Sequence, residues 1–546
     1  MINLRGSLPP LPVAVALTFA TMVMAVTGCD LTHHVVRQDG PGRHGGPAAA
    51  GRPGSAPAAG TAGNDGGPGS TFVAAENAKP GTADWRVRHG GAPHEIEGYA
   101  DHVSVLPGQP FRLFVSTRSK GYTVEAFRMG WYGGAQARLV WRSGRMAGSV
   151  QAPARIEGKT NTVVAPWHPS LTVPTTGWPE GDYLVRLDAD TGAQHYVPIT
   201  LRSAAATGKI VLLNGTTTWQ AYNLWGGRSL YSGPYGFASR SRAVSFDRPY
   251  DKSGATKFLA YEQPAVALAE KLGLPLAYAT DNDLHRDPNL LRGARALTVL
   301  GHDEYWSSVM RRRVTGARDQ GVNIAFLGAN ELNRHIRFAP TKLGQDRLVI
   351  CYKEADDPIA KDDPSEVTVD WRFADPPRPE SDLTGVYYEC NPVQADYVVY
   401  DPKNWLFAGT GVRRGQRFTG MVGPEYDRVN PIVPTPRPIE VLAHSPLTCN
   451  GSSSYADSAY YTVPSGAGVF AAGTMRWVCA LRGTKCGHDV PASAAPFVAK
   501  VTTTLLRAFA AGPAGRTHPA RDNLAAVHPY KGYPGAPGDD RASQGD

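Results

Sequence analysis

Charged residues are scarce in this chain of 546 residues, since Asp, Glu, Lys and Arg together make up 19% of it. Hydrophobic residues make up 42%, so most of the chain can fold around large buried cores, and its length allows about two to four domains. The formal net charge is +8, but the longest basic run is only Arg311 to Arg313, inside a predicted amphipathic helix. No recognition motif accompanies this charge, so we expect no nucleic acid as a partner.

Cysteine is scarce as well, and its spacing argues against a cysteine metal site. Five cysteines follow Cys29, and they are Cys351, Cys390, Cys449, Cys479 and Cys486. None lies in a CxxC pair of the kind that binds zinc, and the odd number leaves at least one unpaired. An oxidising compartment would permit disulfides. Cys479 and Cys486 flank a short polar loop and are the best candidates for one.

Only one long apolar run occurs. It extends from Leu11 to Val26 after Arg5, and at about 16 residues it is short for a membrane span of about 20. A positive start, an apolar stretch and a small residue before Cys29 are typical of a bacterial lipoprotein signal. We therefore predict a signal peptide over 1–28 and membrane attachment through a lipidated Cys29, in an extracytoplasmic protein that is anchored or secreted. An ordinary cleaved signal with an incidental cysteine is the alternative.

Large apolar side chains are almost absent from the next segment. Residues 29–84 consist largely of Gly, Ala, Pro and small polar residues, which bury too little apolar surface to offset the entropy of ordering. This composition predicts a flexible linker. Residues 517–546 are also polar and rich in Gly and Pro, so we predict a poorly ordered tail there.

The rest of the chain shows two patterns, of which the first covers 85–203. Apolar residues alternate with polar ones, as at Phe111, Leu113 and Val115, and turn signals such as Pro107-Gly108 separate the runs. Short strands at this spacing, without helical segments between them, favour a β-sandwich domain.

The second pattern covers 208–516, where continuous apolar runs alternate with helical periodicity. The apolar runs are 210–213, 276–279, 296–300 and 324–327, and the helical patterns are 258–272, 306–320 and 495–509. This alternation predicts an α/β domain with a mostly parallel sheet and helices on both faces. A Pro- and Asp-rich excursion interrupts it near 341–400.

Polar side chains follow the apolar runs directly. Tyr222 comes shortly after the first run, His302 and Glu304 follow the third, and Asn330 follows the fourth. Because the carboxyl ends of parallel strands meet at one edge of a sheet, we expect these four side chains to gather there.

The pair His302-x-Glu304 is typical of metal or acid–base sites, but alone it is a weak signal. The structural alternative is that His302 caps the helix near Trp306 while Glu304 lies in the positive first turn of that helix. No HExxH motif occurs, and the PCxxC partner of the zinc deaminases is missing. The third run also leads into no Cys or Ser nucleophile elbow. We expect the α/β fold to be glutamine-amidotransferase-like, without the Cys nucleophile.

Five strings go beyond such patterns. They are Glu97-Gly98-Tyr99-Ala100-Asp101, the segment 128–134 (RMGWYGG), 218–223 (TWQAYN), 301–306 (GHDEYW) and 469–474 (VFAAGT). Together they resemble the large (β) subunit of N,N-dimethylformamidase and its relatives, over about residues 95–515. The enzyme that gives this family its name is an amidohydrolase. Its single iron is held by two tyrosines and one glutamate, beside a histidine, an asparagine and a second glutamate.

Carried onto this sequence, the resemblance implies one Fe(III) per chain. The implied metal ligands are Tyr183, Tyr222 and Glu304, and the implied catalytic residues are His302, Asn330 and Glu425. Phenolate and carboxylate oxygens are hard ligands that suit Fe(III) better than zinc. In this scheme Glu425 is the general base, while His302 and Asn330 donate hydrogen bonds to the developing oxyanion. Tyr183 and Glu425 rest on shorter strings than the other four.

The first functional hypothesis is an extracytoplasmic, iron-dependent hydrolase of amide C–N bonds. Its substrate would be a small amide or N-acyl compound that the sequence does not specify. Unlike the resembled enzyme, which works with a separate small subunit, this chain carries a predicted signal and linker. The second hypothesis is a non-catalytic surface lipoprotein that binds glycan or peptide on the same fold. A homo-oligomer is compatible with either.

Overall fold

The computed structural model describes residues 71–353 and 356–528. The predicted signal peptide, Cys29, the linker as far as residue 70 and the tail from residue 529 lie outside these ranges, and what the sequence implies for them stays a prediction. Among the described residues, no helix is both long enough and apolar enough to cross a membrane.

The N-terminal part is built from short strands. They are β1 (Ile96–Ala100), β2 (Ser104–Val105), β3 (Phe111–Thr117), β4 (Gly121–Met129), β5 (Ala137–Arg142), β6 (Met146–Ala147), β7 (Arg155–Glu157), β8 (Thr162–Val164), β9 (Leu171–Val173), β10 (Gly181–Ala189) and β11 (Gln194–Leu201). One sheet has the order β1-β3-β9, and the other has the order β2-β11-β10-β4-β5 with β6 beside β4. Alternating residues of both sheets, such as Leu113 of β3 and Leu187 of β10, share one buried core.

The C-terminal part contains the remaining strands. They are β12 (Ile210–Asn214), β13 (Ala243–Ser245), β14 (Leu276–Thr280), β15 (Ala296–Val299), β16 (Tyr305–Ser307), β17 (Asn323–Phe326), β18 (Arg334–Thr341), β19 (Gly344–Ile350), β20 (Tyr387–Cys390), β21 (Ala395–Val398), β22 (Arg417–Val422), β23 (Tyr426–Arg428), β24 (Ile439–Cys449), β25 (Ser452–Thr462) and β26 (Gly468–Ala471).

The helices are few and mostly short. They are α1 (Thr71–Asn77), α2 (Thr216–Tyr222), α3 (Thr256–Tyr261), α4 (Gln263–Lys271), α5 (Asp281–Arg286), α6 (Ser308–Asp319), α7 (Ser381–Thr384), α8 (Arg476–Ala480), α9 (Ala494–Ala511) and α10 (Leu524–Val527). The predicted helix over 258–272 is divided into α3 and α4, because Pro264 lies in the first turn of a new helix. The helix predicted over 306–320 begins at Ser308, since Ser307 caps it by accepting a hydrogen bond from the Met310 amide.

A seven-stranded sheet organises the C-terminal part, in the order β14-β12-β15-β17-β26-β25-β24. The four apolar runs of the sequence form β12, β14, β15 and β17, and the first five strands of the order pair in parallel. β25 and β24 are antiparallel, so the sheet is mixed. The described chain is thus mostly sheet, mixed and antiparallel, with few helices. The predicted parallel α/β domain is confirmed only in part, and its glutamine-amidotransferase likeness stays a prediction.

The antiparallel end of this sheet comes from a turn signal that the sequence interpretation does not use. Asn450 and Gly451 connect β24 to β25, with φ of 49° and 81°. An Asn-Gly pair with positive φ at both positions makes the type I′ turn that closes a two-residue hairpin. This hairpin turns the predicted mostly parallel sheet into a mixed one.

Both ends of the described chain are folded onto these sheets, although the sequence predicts linker and tail there. In α1, Glu76 accepts hydrogen bonds from Arg138 Nε at 2.8 Å and from the Tyr132 hydroxyl at 2.9 Å. At the other end, the Asn523 side chain bonds both backbone groups of Val441 in the edge strand β24, at 2.8 and 3.0 Å. Specific polar contacts therefore order residues 71–84 and 518–528 despite their composition.

The cysteines form two disulfides. Cys479 pairs with Cys486, as predicted, and Cys390 of β20 pairs with Cys449 at the end of β24. Among the described residues, Cys351 is free and buried. The second disulfide fastens the end of the predicted excursion to the seven-stranded sheet.

A buried ion pair joins the N-terminal sheets to the C-terminal part. Arg128 of β4 and Glu270 of α4 are both fully buried, with Nη2 to Oε1 at 2.7 Å and Nη1 to Oε2 at 3.2 Å. The hydroxyl groups of Tyr132 and Tyr278 lie 3.0 and 3.2 Å from the same guanidinium. The geometry is bidentate, which is the strongest arrangement for this pair.

Replacing one partner should be costly. We expect Arg128→Met to lower the free energy of unfolding by about 3–5 kcal/mol, because it leaves the Glu270 charge buried without its cation. Chemical unfolding monitored by circular dichroism measures the change. Arg145→Met, which breaks the exposed surface pair of Arg145 and Asp190, should change the free energy of unfolding far less, because solvent screens that pair. Equal effects of the two variants would contradict the prediction.

Candidate functional site

Three loops meet at one edge of the seven-stranded sheet. β12 leads into α2, whose last residue is Tyr222. β15 leads to His302 and Glu304, and β17 leads to Asn330. Because β12, β15 and β17 are adjacent and parallel, the loops at their carboxyl ends lie side by side.

Special backbone positions shape these loops. Gly301 has φ of 65°, and a Cβ there would lie 2.1 Å from the carbonyl oxygen of Tyr261, so only glycine fits. Asn330 has φ of 56°, in the left-handed region that asparagine tolerates. The backbone amide of Glu304 donates to Thr218 Oγ1 at 2.9 Å, which fastens the third loop to α2.

Glu304 is the centre of the site, and only 1% of its surface is exposed. The Tyr222 hydroxyl donates to its Oε2 at 2.6 Å, and the Tyr231 hydroxyl lies 2.8 Å from Oε1 and 2.9 Å from Oε2. The two hydroxyl oxygens are 3.0 Å apart, and the two rings stack at a centroid distance of 4.5 Å. Two phenol oxygens and one carboxylate therefore converge on one point.

The sequence interpretation does not include Tyr231. This residue follows α2 in an irregular segment before β13, where no strand end and no motif marks it. The buried neighbour Leu230 donates its amide to the Ala221 carbonyl at 3.0 Å, and the Tyr305 hydroxyl donates to Tyr231 at 2.6 Å. These tertiary contacts place the Tyr231 hydroxyl against Glu304.

Three basic side chains surround this cluster. Arg334 Nε lies 3.3 Å from Glu304 Oε1, Lys353 Nζ lies 3.8 Å from the Tyr231 ring centroid, and Lys257 Nζ lies 4.1 Å from the Tyr222 ring centroid. Burial by itself raises the pKa of Glu304, but Lys353 and Arg334 bring it below its usual value. Burial and the neighbouring Arg334 lower the pKa of Lys353 to about 7. The carboxylate at the centre is therefore ionised.

His302 lies beside Glu304 and is almost fully buried. Its Nδ1 is 3.0 Å from the Ala329 carbonyl oxygen, which can only accept, so Nδ1 carries a proton. Its Nε2 lies 3.8 Å from Glu304 Oε2 and has no hydrogen-bond partner among the described residues. In the neutral ring Nε2 is an acceptor, and it donates only when the ring is protonated.

Asn330 and Glu425 form a second polar pair. The side-chain Nδ2 of Asn330 donates to Glu425 Oε2 at 2.7 Å, and the backbone N–H of Asn330 donates to Asp427 Oδ1 at 2.8 Å. Asn391 Nδ2 lies 3.5 Å from the other oxygen of Glu425. Burial raises the pKa of Glu425, and the Glu304 charge raises it further, while His302 and Asn330 lower it.

Tyr183 does not join this group. It lies in β10 in the core of the N-terminal sheets, stacked on Trp178 at a centroid distance of 5.2 Å. Its hydroxyl donates to the Pro179 carbonyl at 2.7 Å. Of the six residues that the sequence implies, the structure brings Tyr222, His302, Glu304, Asn330 and Glu425 together, and Tyr231 takes the position expected of Tyr183.

The protonation of the two site tyrosines follows from their surroundings. Burial raises the pKa of Tyr222 and Tyr231 well above the ordinary tyrosine value, and the charge of Glu304 raises both further. Without a cation, both hydroxyls therefore keep their protons and donate them to Glu304. A cation at this point would replace these protons, and oxygen-only donors of this kind are those that hard metal ions prefer.

The fold and the site define a β-rich protein with a buried tyrosine–carboxylate cluster at the carboxyl edge of a mixed sheet, beside an imidazole and a second carboxylate. The chain belongs to the N,N-dimethylformamidase beta subunit-like family, whose C-terminal region model matches residues 123–489. This confirms the resemblance seen in the sequence and relates the chain to an amide hydrolase. All of the site residues named above lie inside the matched range.

No curated protein is significantly similar to the chain. A crystal structure of a cycloisomaltooligosaccharide glucanotransferase from Paenibacillus sp., complexed with cycloisomaltoheptaose, is similar over 23% of this chain and 17% of its own chain. The identity is 12% and the TM-score is 0.14, so this similarity carries no argument about fold or function.

Proposed function

We propose that the chain is a metal-dependent hydrolase of amide C–N bonds. The observation that carries the proposal is the convergence of the Tyr222 and Tyr231 hydroxyls on the buried carboxylate of Glu304. Membership of a family related to N,N-dimethylformamidase supports this reaction class. The substrate we propose is a small amide or N-acyl compound.

The metal we propose is one Fe(III) per chain, held by Tyr222, Tyr231 and Glu304. Two phenolates and one carboxylate carry three negative charges, which balance a trivalent ion. Ferric iron would act there as a Lewis acid toward an amide carbonyl and would make water a better nucleophile. In this proposal Tyr231 replaces Tyr183, because the Tyr183 hydroxyl is held by the Pro179 carbonyl.

The general base we propose is Glu425. It is half-buried, and its carboxylate is held by Asn330 Nδ2 at 2.7 Å, so it can take a proton from water that enters the site. Asn330 thus positions the base, and its second amide hydrogen can donate to a substrate oxygen. The His302 Nε2 has no hydrogen-bond partner among the described residues, so it can bind the substrate. When the imidazole is protonated, Nε2 can donate a hydrogen bond to a developing oxyanion.

Iron content and colour test the ligand set. Wild-type protein purified without chelator should hold about one iron per chain and absorb in the visible, since tyrosinate bound to Fe(III) produces charge-transfer bands. Tyr222→Phe and Tyr231→Phe keep the ring packing and remove one ligand oxygen, so each should bleach or shift the band and lower the iron content. Tyr183→Phe is the matched control and should change neither.

Three results would contradict the proposal. Colourless wild-type protein with stoichiometric zinc would exclude ferric iron at this site. Loss of colour in Tyr183→Phe but not in Tyr231→Phe would restore the ligand set implied by the resemblance. Iron-loaded protein that hydrolyses no amide, across formamides, acetamides, N-acylated amino sugars and peptides, would favour the non-catalytic binding protein instead.

A further inference from the structure

A second cluster of potential metal-ligating side chains lies at the β24 edge of the seven-stranded sheet, whereas Glu304 follows β15 near the other end of the strand order. His444 of β24 and Asp457 of β25 face each other across the hairpin, and His528 follows α10. His444 Nδ1 lies 2.8 Å from Asp457 Oδ1, and His528 Nε2 lies 3.2 Å from Asp457 Oδ2. One possible ligand atom from each residue lies within 4.8 Å of the other two.

The cluster is enclosed but not sealed. Asp457 is fully buried, His528 is nearly so, and 22% of the His444 side chain is exposed. The Tyr455 ring packs on both imidazoles, at centroid distances of 4.3 Å from His528 and 4.8 Å from His444. The backbone amide of Val429 donates to Asp457 Oδ2 at 2.9 Å and holds the carboxylate in place. Ring packing and the hydrogen bond from the Val429 amide hold all three side chains in place without a bound ion.

We propose that His444, Asp457 and His528 bind a divalent transition-metal ion of the zinc class. Two imidazoles and one carboxylate are a common zinc ligand set, with water as the fourth ligand. Tetrahedral zinc with bonds of about 2.0–2.1 Å keeps its ligand atoms roughly 3.3 Å apart. The two His–Asp contacts here measure 2.8 and 3.2 Å, and all three ligand atoms lie within 4.8 Å of one another. The nitrogen-rich set differs from the oxygen-only set around Glu304, so the two sites select different metals.

The position of His528 determines what this ion does. His444 and Asp457 belong to the edge hairpin of the seven-stranded sheet, whereas His528 belongs to the C-terminal segment that Asn523 fastens to β24. A bound ion would therefore tie this segment to the sheet and stabilise the folded state, because it binds only the folded arrangement. This inference is independent of the proposed amide hydrolysis.

Zinc binding by the full-length chain tests the proposal. The protein is prepared in the Glu304→Gln background, stripped with chelator, and titrated with Zn(II) against a chromophoric competitor. We expect one zinc per chain and a higher Tm with zinc than without it. His444→Gln and His528→Gln should each weaken zinc binding by about tenfold or more and abolish the rise in Tm.

The controls separate ligand loss from misfolding. His518 belongs to the same C-terminal segment as His528, but it stacks on Trp405 and lies outside the cluster. The His518→Gln variant should therefore bind zinc as the parent does. The metal-free His444→Gln and His528→Gln variants should keep the circular dichroism spectrum of the parent, which would show that they are folded. No zinc bound by the parent, or equal binding by the parent and the two ligand variants, would show that the cluster is only a hydrogen-bonded Asp and two His.

Discussion

Glu304→Gln should yield protein that contains no iron and hydrolyses no amide. The variant keeps the size and an acceptor oxygen for Tyr222 and Tyr231, but it removes the negative charge at the point where both hydroxyls converge. Without this charge the remaining ligands no longer balance a trivalent ion, and Arg334 and Lys353 are left without their anion. Iron analysis, the visible spectrum and amidase assays measure the outcome.

The matched control for this variant is Glu180→Gln, which removes a carboxylate that pairs with Lys209 at 2.9 Å outside the site. It should retain iron, colour and activity. If Glu304→Gln keeps both its iron and its activity, the centre of the site is not Glu304. Loss of activity with full iron content would instead assign Glu304 a role in the reaction without a role in holding the metal.

Glu425→Gln should retain iron and lose turnover. The amide removes only a proton acceptor, so we expect kcat to fall by about 10²–10⁴, the usual contribution of a general base. Iron content and colour should stay at the wild-type level, because Glu425 bonds Asn330 and not the two tyrosines. Steady-state kinetics on the best substrate of the amide panel, together with iron analysis, measure both quantities.

Asn330→Ala tests the hydrogen bond from Asn330 to Glu425 separately from the Glu425 carboxylate itself. Removing Nδ2 frees one oxygen of Glu425 but leaves the carboxylate present, so the loss of kcat should be smaller than in Glu425→Gln. If Glu425→Gln is as active as wild type on every substrate, the base lies elsewhere. If it loses its iron as Glu304→Gln does, Glu425 belongs to the metal ligands.

Much of the candidate site can be predicted from the order of apolar runs and polar residues along the chain. Continuous apolar runs become β12, β14, β15 and β17, and parallel strands carry the residues that follow them to the same edge. For this reason Tyr222, His302, Glu304 and Asn330 could be placed together from the sequence. The spacing of Cys479 and Cys486 around a short loop was likewise enough to predict their disulfide.

Other parts depend on contacts between distant segments. Tyr183 and Tyr231 are both tyrosines near turns, so the sequence does not distinguish them. The contacts of Leu230 and Tyr305 direct the Tyr231 hydroxyl to Glu304. The Tyr183 hydroxyl instead donates to the Pro179 carbonyl. Glu425 reaches the site because Asn330 and Asn391 hold it from separate loops.

The sequence by itself thus determined the strands β12, β14, β15 and β17, the polar residues at their ends and the family, because these depend on local periodicity and short motifs. The tertiary structure alone decided which tyrosine joins Glu304 and that His444, Asp457 and His528 meet. The physical reason is that such convergence depends on hydrogen bonds and packing between segments far apart in sequence, and local periodicity carries no information about those contacts.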